Sequence, residues 1–416
     1  MPELTPEQLR PVCDPSIFSF TTTAELEPLV GLVGQDRAID ALKFGLDIQS
    51  KGFNVCVAGE PGTGRETAVL DYVRTVAATR PVPDEWCYVH NFREPHRPNA
   101  LRLPPGRGRA FCQVMNAVIN EAKDRVPRTF QSEDFVNRRD EILGAVQRHR
   151  DALFSQLASR AQAGGFLLQG NPSGFFLVPL HDNKPMEDQA FAALSEAERT
   201  SILQRREQLM EELRTAMKQE EGVEQAATQR LSDLEKAIAT MVVDSLLDKV
   251  KADFKDFPEV VDHLEQVRDD MVENIGQFAP QPQQVMTPAG PTASPPGMSL
   301  RKYQVNLLVD LSRAEHAPVI HETNTAPANL LGKIEKEAVF GALVTDFTMI
   351  RPGSLHRANG GYLVLNFDDL LMNQFSWVEL KRVLRTGQIT IEEMGERMGF
   401  LETKSIKPEP IPWTGK

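Results

Sequence analysis

Residues 53–67 read FNVCVAGEPGTGRET. The first six, Phe53 to Ala58, form a nearly continuous apolar run, the pattern of a strand buried in a parallel sheet. Gly59-Glu60-Pro61-Gly62-Thr63-Gly64 follows, and Arg65 to Ala78 then reads as a helix. Strand, glycine-rich turn and helix open an α/β unit. The turn overlays the phosphate-binding pattern G-x-x-x-x-G-K-[ST]. In that pattern glycines let backbone N–H groups point at phosphates, the helix N-terminus adds its positive end, a Lys reaches the outer phosphates and a hydroxyl holds Mg²⁺. Gly59, Gly62 and Gly64 meet the first two requirements. The third is altered: Arg65 stands where Lys belongs and Glu66 where Ser or Thr belongs, and Thr67 offers a hydroxyl one position late. A planar guanidinium keeps the charge but does not replace a point ammonium. A Glu66 carboxylate at about 4 Å from a phosphate adds repulsion on the order of 4 kcal/mol at an effective dielectric near 20, unless Mg²⁺ lies between them. The pattern predicts a nucleotide cradle of weakened chemistry. The plainer alternative is a strand-to-helix turn that needs glycine only for its shape.

Working outward, residues 1–34 read as a strap, since Pro11, Pro15 and Pro28 interrupt any helix. From Gln35, the residues Ala38, Leu42, Leu46 and Ile48 recur at roughly helical spacing, and Trp86 to Val89 reads as a second strand. Residues 35–125 are thus the first half of an α/β domain. Residues 126–278 differ. Phe135, Ile142, Val146, Leu153, Leu157 and Ala161 form one helical stripe over 131–163. Residues 166–180 read as a hairpin around Asn171-Pro172-Ser173-Gly174. Over 195–250, Ile202, Leu209, Ala216 and Val223 are followed by apolar residues every three or four positions, which with the first stripe predicts an antiparallel coiled-coil pair. A third helix is expected over 257–276. Residues 279–298 contain six prolines and no charge, the composition of a flexible linker or loop. Residues 299–416 return to α/β character, with strands expected at Tyr303–Val309, Gly361–Leu365 and Gln388–Ile391 and a helix at Asp368–Leu384. The fold class this predicts is α/β: a P-loop parallel sheet, incomplete at its C-terminal side, interrupted by a large helical insertion that carries a small β-hairpin.

The second motif is Gly360-Gly361-Tyr362-Leu363-Val364-Leu365-Asn366-Phe367-Asp368-Asp369. It resembles a Walker B strand, in which four apolar residues end in an acidic pair that orients Mg²⁺ and the attacking water. Here Asn366 takes the first acidic position, and a carbonyl without charge coordinates weakly. Asp368 or Asp369 can substitute. An Asp that caps the helix behind the strand explains them equally well.

The rest of the composition excludes more than it assigns. Of 416 residues, 46 are Lys or Arg and 58 are Asp or Glu, giving a formal charge of -12. An acidic chain without a basic block is a poor nucleic-acid binder. It has no apolar run of membrane-spanning length, and MPELTPEQLR lacks the features of a secretory signal. Cys13, Cys56, Cys87 and Cys112 form no C-x-x-C pair, which fits a reducing, cytoplasmic compartment. Cys56 and Cys87 sit in apolar runs and read as small buried hydrophobes. His90, His96, His316, His321 and His356 lack metal-ligand spacing, and Ser173 is in no G-x-S-x-G elbow.

Taken together, ELEPLVGLVGQDRAIDALKFGL (25–46), the GEPGTGRETAV loop, WCYVHNFREPHRPNALRLPPGRGRAF (86–111), LVPLHDNKPM (177–186), residues 335–371 through HRANGGYLVLNFDDLL, and the KPEPIP tail resemble the Lon-related AAA+ proteases. The resemblance is to the N-terminal and ATPase portion of the branch (LonB- or LonC-like) whose ATPase domain carries a helical insertion. It implies ATP or ADP with Mg²⁺ as cofactor, weak or vestigial here, and unfolded or damaged proteins as substrates. It also implies self-association into a hexameric ring in the full-length family. Carried over residue by residue, Gly59, Glu60, Pro61, Gly62, Thr63, Gly64, Arg65, Glu66 and Thr67 form the cradle. Asn366, Asp368 and Asp369 stand at the Walker B end, with Thr67, Asn366 and Asp368 as metal holders. No catalytic dyad is legible, and the sequence stops at Lys416, where the family would continue with the sensor strand, lid and Ser–Lys protease domain, as a fragment or truncated reading frame would, or a natural remnant. The rival reading is a non-enzymatic scaffold whose P-loop is structural and whose coiled coil binds a partner protein. Limited proteolysis should cut first within 279–298 and leave a helical upstream fragment; first cuts inside 195–250 contradict the insertion.

Overall fold

The computed structural model describes residues 5, 9, 12–27, 35–48, 50, 52–60, 62–171, 174–181, 184–186, 191, 194–278, 286–287, 290–291, 299–339, 342–392 and 405–416. Pro61, Pro172, Ser173 and nearly all of the proline-rich 279–298 stretch lie outside them, as does much of the 1–34 strap.

Two helices open the described α/β part. Helix α1 (Asp36–Asp47) buries Leu42 and Leu46, one turn apart. Helix α2 (Arg65–Ala77) starts at Gly64 and buries Val73 and Ala77 in the same way. Strands β1 (Glu85–Val89) and β2 (Asn99–Leu103) follow, then helices α3 (Arg107–Phe130) and α4 (Glu133–Ala163). Strands β3 (Phe166–Asn171) and β4 (Gly174–His181) make the hairpin expected from the Asn-Pro-Ser-Gly signal. Helix α5 (Glu196–Asp253) runs 58 residues from a capping box of Ser195 and Glu198. Helix α6 (Pro258–Glu273) begins on a proline, which lacks the N–H that a first turn leaves unused. Strands β5 (Val305–Leu307), β6 (Val319–Glu322) and β7 (Tyr362–Leu365) lead to α7 (Phe367–Met372) and α8 (Gln374–Thr386).

The largest core gathers Cys87, Val89, Leu101 and Leu103 from β1 and β2, Phe111, Met115 and Val118 from α3, and the buried stripes of α5 and α6. The sheet under it is antiparallel, in the order β2-β1-β5. Its corner is a buried carboxylate: Glu85 accepts hydrogen bonds from Gly108 N and Leu311 N, each at 2.8 Å. That places a negative charge at the N-terminus of α3, where the helix dipole favours it. Arg107 lies over the Phe254 ring at 4.4 Å, tying the start of α3 to the end of α5. Ion pairs Arg150–Glu224 and Arg160–Glu212 show α4 and α5 running antiparallel. A separate small core of Ala161, Phe166, Leu168, Leu177 and Leu213 closes their far end.

Among the described residues, parallel pairing is seen only between β6 and β7, in the register Tyr362↔Val319 through Leu365↔Glu322. The broader P-loop sheet expected from the sequence is not observed among the described residues. Phe53–Ala58 forms no strand there, and Phe53, Val55 and Val57 remain 54%, 39% and 43% exposed. The physical reason lies at the edge of β7. Tyr362 N bonds Pro318 O on the β6 side, while Leu363 N donates to Lys416 O and Lys416 N to Gly361 O on the other. The 53–58 segment instead lies against α1, where Val55 crowds Gly45. Cys56 is accordingly exposed rather than buried, whereas Cys87 is fully buried. The helix expected over Asp368–Leu384 is two helices, α7 and α8, broken at Asn373.

Gly361 allows the β6–β7 contact. A Cβ there would stand 2.1 Å from Pro318 O and 2.8 Å from its ring. Because the obstacle is backbone, Gly361→Ala should cost about 3 kcal/mol, at the upper end of overpacking penalties. Gly222, in the exposed middle of α5 with nothing near it, is the control. Gly222→Ala should be neutral or stabilising by about 0.5–1 kcal/mol. Chemical denaturation of both variants checks this; equal midpoints contradict it.

Candidate functional site

The cradle is assembled on a small core in which Leu42, Leu46, Val73 and Ala77 of α1 and α2 cover Ala317 and Tyr362. That packing sets the N-terminus of α2 beside the C-terminal end of β6. In α/β sheets ligands bind at the carboxyl ends of strands. Gly62 and Gly64 have φ +81° and +78°, a region that side chains with a Cβ enter only at a cost of about 1–2 kcal/mol. The two positive-φ glycines therefore form the tight turn that the motif requires. Glu60 contributes its carbonyl, which accepts from Thr63 Oγ1 at 2.8 Å. Arg65 folds back over the turn, its Cδ 3.1 Å from the point a Gly59 Cβ would occupy.

Glu66 does not face a hydroxyl or an empty corner. Its Oε1 lies 3.5 Å from His321 Nε2, on β6. As an acid in the first turn of α2 it also complements the helix dipole. Thr67 is exposed one residue further on. The next residue of β6, Glu322, accepts a 2.8 Å bond from Arg357 Nη2. Beyond it, Thr325 is buried; its Oγ1 donates to Asp369 O at 2.9 Å and accepts from Asn373 Nδ2 at 3.1 Å. Ser376 Oγ donates to Thr325 O. The end of β6 is thereby stitched to α2 on one side and to α7 and α8 on the other.

At the end of β7, Asn366 is the N-cap of α7. Its Oδ1 accepts from Asp368 N at 3.0 Å. The cap is therefore Asn366 itself, and Asp368 and Asp369 are first-turn acids, all three exposed. His321, Glu322, Arg357 and Thr325 were missed as site residues. The available signal was the apolar-to-polar change in Val319-Ile320-His321-Glu322, where a half-buried strand ends in charge.

The residues present fit a phosphate chain better than a metal. The turn has the backbone for phosphates. The metal corner is weak, because Asn366 uses its carbonyl oxygen as a cap and Glu66 pairs with His321. Among the described residues no group of three or more His, Cys, Asp or Glu could hold a metal ion, and no helix is long and apolar enough to cross a membrane.

Residues 315–416 match the family described as LonB-like, AAA domain, a span that includes β6, β7 and the whole Walker B side of the site. Residues 85–118 match the family described as Lon-like LonC helical domain, which covers β1, β2 and the first half of α3. No curated protein matches the chain. The two family matches support a Lon-related AAA+ protease family, whose AAA domain in general implies nucleotide binding with Mg²⁺. If Arg65 and Glu66 are what weaken the cradle, the double substitution Arg65→Lys, Glu66→Thr should raise Mg-ATP affinity at least tenfold, about 1.4 kcal/mol. Calorimetric titration of both proteins checks this; unchanged affinity would place the defect elsewhere.

Proposed function

We propose that this chain is the nucleotide-binding and substrate-handling module of a Lon-like ATP-dependent serine protease, one that holds ATP or ADP with Mg²⁺ weakly and turns it over negligibly. The observation that carries this reading is a glycine turn of intact shape whose chemical corners are already engaged: Glu66 by His321 and Asn366 by the α7 backbone. Backbone N–H groups of Gly62 to Gly64 and the α2 N-terminus would bind phosphate oxygens, with Arg65 as the positive charge and the Glu60 carbonyl holding Thr63 in the turn. Thr67, Asn366 and Asp368, with Asp369 beside them, would hold the metal, and only loosely. When bound, Mg²⁺ supplies neutralisation of the phosphate charge. The arm of α4 and α5, with its hairpin, would contact unfolded polypeptide or a neighbouring copy in a ring.

One observation favours the scaffold reading. Thr63 Oγ1 donates to Glu60 O within the turn and the Arg65 stem packs over Gly59, as in a purely structural loop. A phosphate-release assay separates a motor from this proposal. We expect negligible steady turnover, and no cleavage of casein by the chain alone. Release at rates typical of AAA+ motors, abolished by Gly64→Val, contradicts the proposal, as does casein cleavage blocked by a serine-directed inhibitor.

A further inference from the structure

The base of the arm holds an imidazole that no group among the described residues hydrogen-bonds. His263, midway along α6, is 2% exposed, and neither ring nitrogen has a partner among the described residues. A neutral imidazole keeps one donor and one acceptor, so both are buried unpaired, which is unfavourable. The ring faces an aromatic column. Phe92 lies 6.0 Å away, Phe92 stacks on Tyr303 at 6.3 Å, and Tyr303 on Phe278 at 5.8 Å. A second imidazole, His90 just beyond β1, meets the Phe92 ring edge-on at 4.8 Å and Phe347 at 6.0 Å. His90 lines a cleft with Gln277, Arg301, Lys302 and Asp346. One imidazole thus stands at the cleft and the other behind it, with the Phe92 ring touching both.

The charged groups around the pair are already matched. On α6 itself, Asp270 accepts from Tyr303 Oη at 2.7 Å and pairs with Lys302. From the 300–303 segment, Arg301 pairs with Glu337 and Asp346. From α5, Asp244 and Lys251 pair with Arg268 and Glu265 on α6. His90 is the charge-bearing group that acts on His263 from the β1 side. None of the carboxylates in this set is left to receive a proton-bearing His263. Burial, and next the field of His90, hold the His263 imidazolium down to a pKa of about 3. Burial and Lys302 lower His90, against Asp270 and Asp346.

We propose that His263, with His90 beside the cleft, is an acid-sensitive latch: a protonated His263 is incompatible with α6 packed on Phe92 and Tyr303, so acidification loosens α6 from the sheet edge and uncovers the aromatic column. The sign follows from the depressed value. The latch is fully closed above the ordinary histidine pKa of about 6.5. It weakens as the pH falls from there toward about 3, because the open state takes up the proton that the closed state refuses.

Hydrogen exchange on the full chain between pH 7.5 and 4.5, corrected for intrinsic rates, tests the latch. Peptides covering 258–278 and 299–305 should lose protection while those covering 362–386 keep it. His263→Phe, which fills the site without a titrating group, should hold the 258–278 protection at pH 4.5. Equal loss in His263→Phe and wild type, or full protection of wild type at pH 4.5, overturns the proposal. Should His263→Phe not fold, histidine-selective NMR of the wild type decides. A His263 ring that stays neutral until α6 opens supports the latch, and one that titrates near its ordinary value with α6 still protected overturns it. His356, also buried and lowered to about 4 by burial alone, lies in the α/β part, so the local readout separates the two.

Discussion

The parallel pairing of Val319–Glu322 with Tyr362–Leu365 is the constraint on which the candidate site depends. It is possible because Gly361 lets the chain pass against Pro318. It places His321 and Glu322 at the mouth of the cradle and Asn366 at the adjoining strand end. Helix α2 then packs across the pair through Val73 and Ala77, and the glycine turn is presented at the carboxyl ends of the strands. Remove the pairing and neither the Glu66–His321 contact nor the Arg357–Glu322 pair has a frame.

The second organising feature is the large core under the antiparallel β2-β1-β5 sheet. It joins strands near residue 85 to helices more than 150 residues later, so the base of the arm is not a separate body in its packing. Only the far end, with the hairpin and Leu213, has a core of its own. The helix pair of α4 and α5 therefore carries apolar clusters at both ends.

Much of this was legible in the sequence. The periodic stripes placed α1, α4 and α5 to within a few residues, because amphipathic helices announce their buried face, and α2 and α6 also lie where helices were expected. The Asn-Pro-Ser-Gly turn gave the hairpin, and GYLVL gave β7. Short strands were harder. Asn99–Leu103 and Val319–Glu322 have few residues and pair with partners distant in the chain, so the local pattern marks them only weakly, the second by no more than its apolar-to-polar change. Phe53–Ala58 shows the converse: an apolar run fits a buried strand, yet pairing depends on an edge, and the β7 edge is occupied by the Lys416 backbone. At the site, the glycines were readable from spacing. Glu66 facing His321 was not, since the two are 255 positions apart in the chain (321 minus 66).

The central question is whether the turn still receives nucleotide. The most direct measurement is the thermal unfolding midpoint against increasing Mg-ATP. A ligand that binds only the folded chain adds about 2.7 kcal/mol at 100 times its Kd. The account predicts a saturable rise that appears only at high nucleotide concentration, and that vanishes when Gly64 is replaced by a β-branched residue. A midpoint that does not move at any concentration contradicts it and leaves the turn as structure alone.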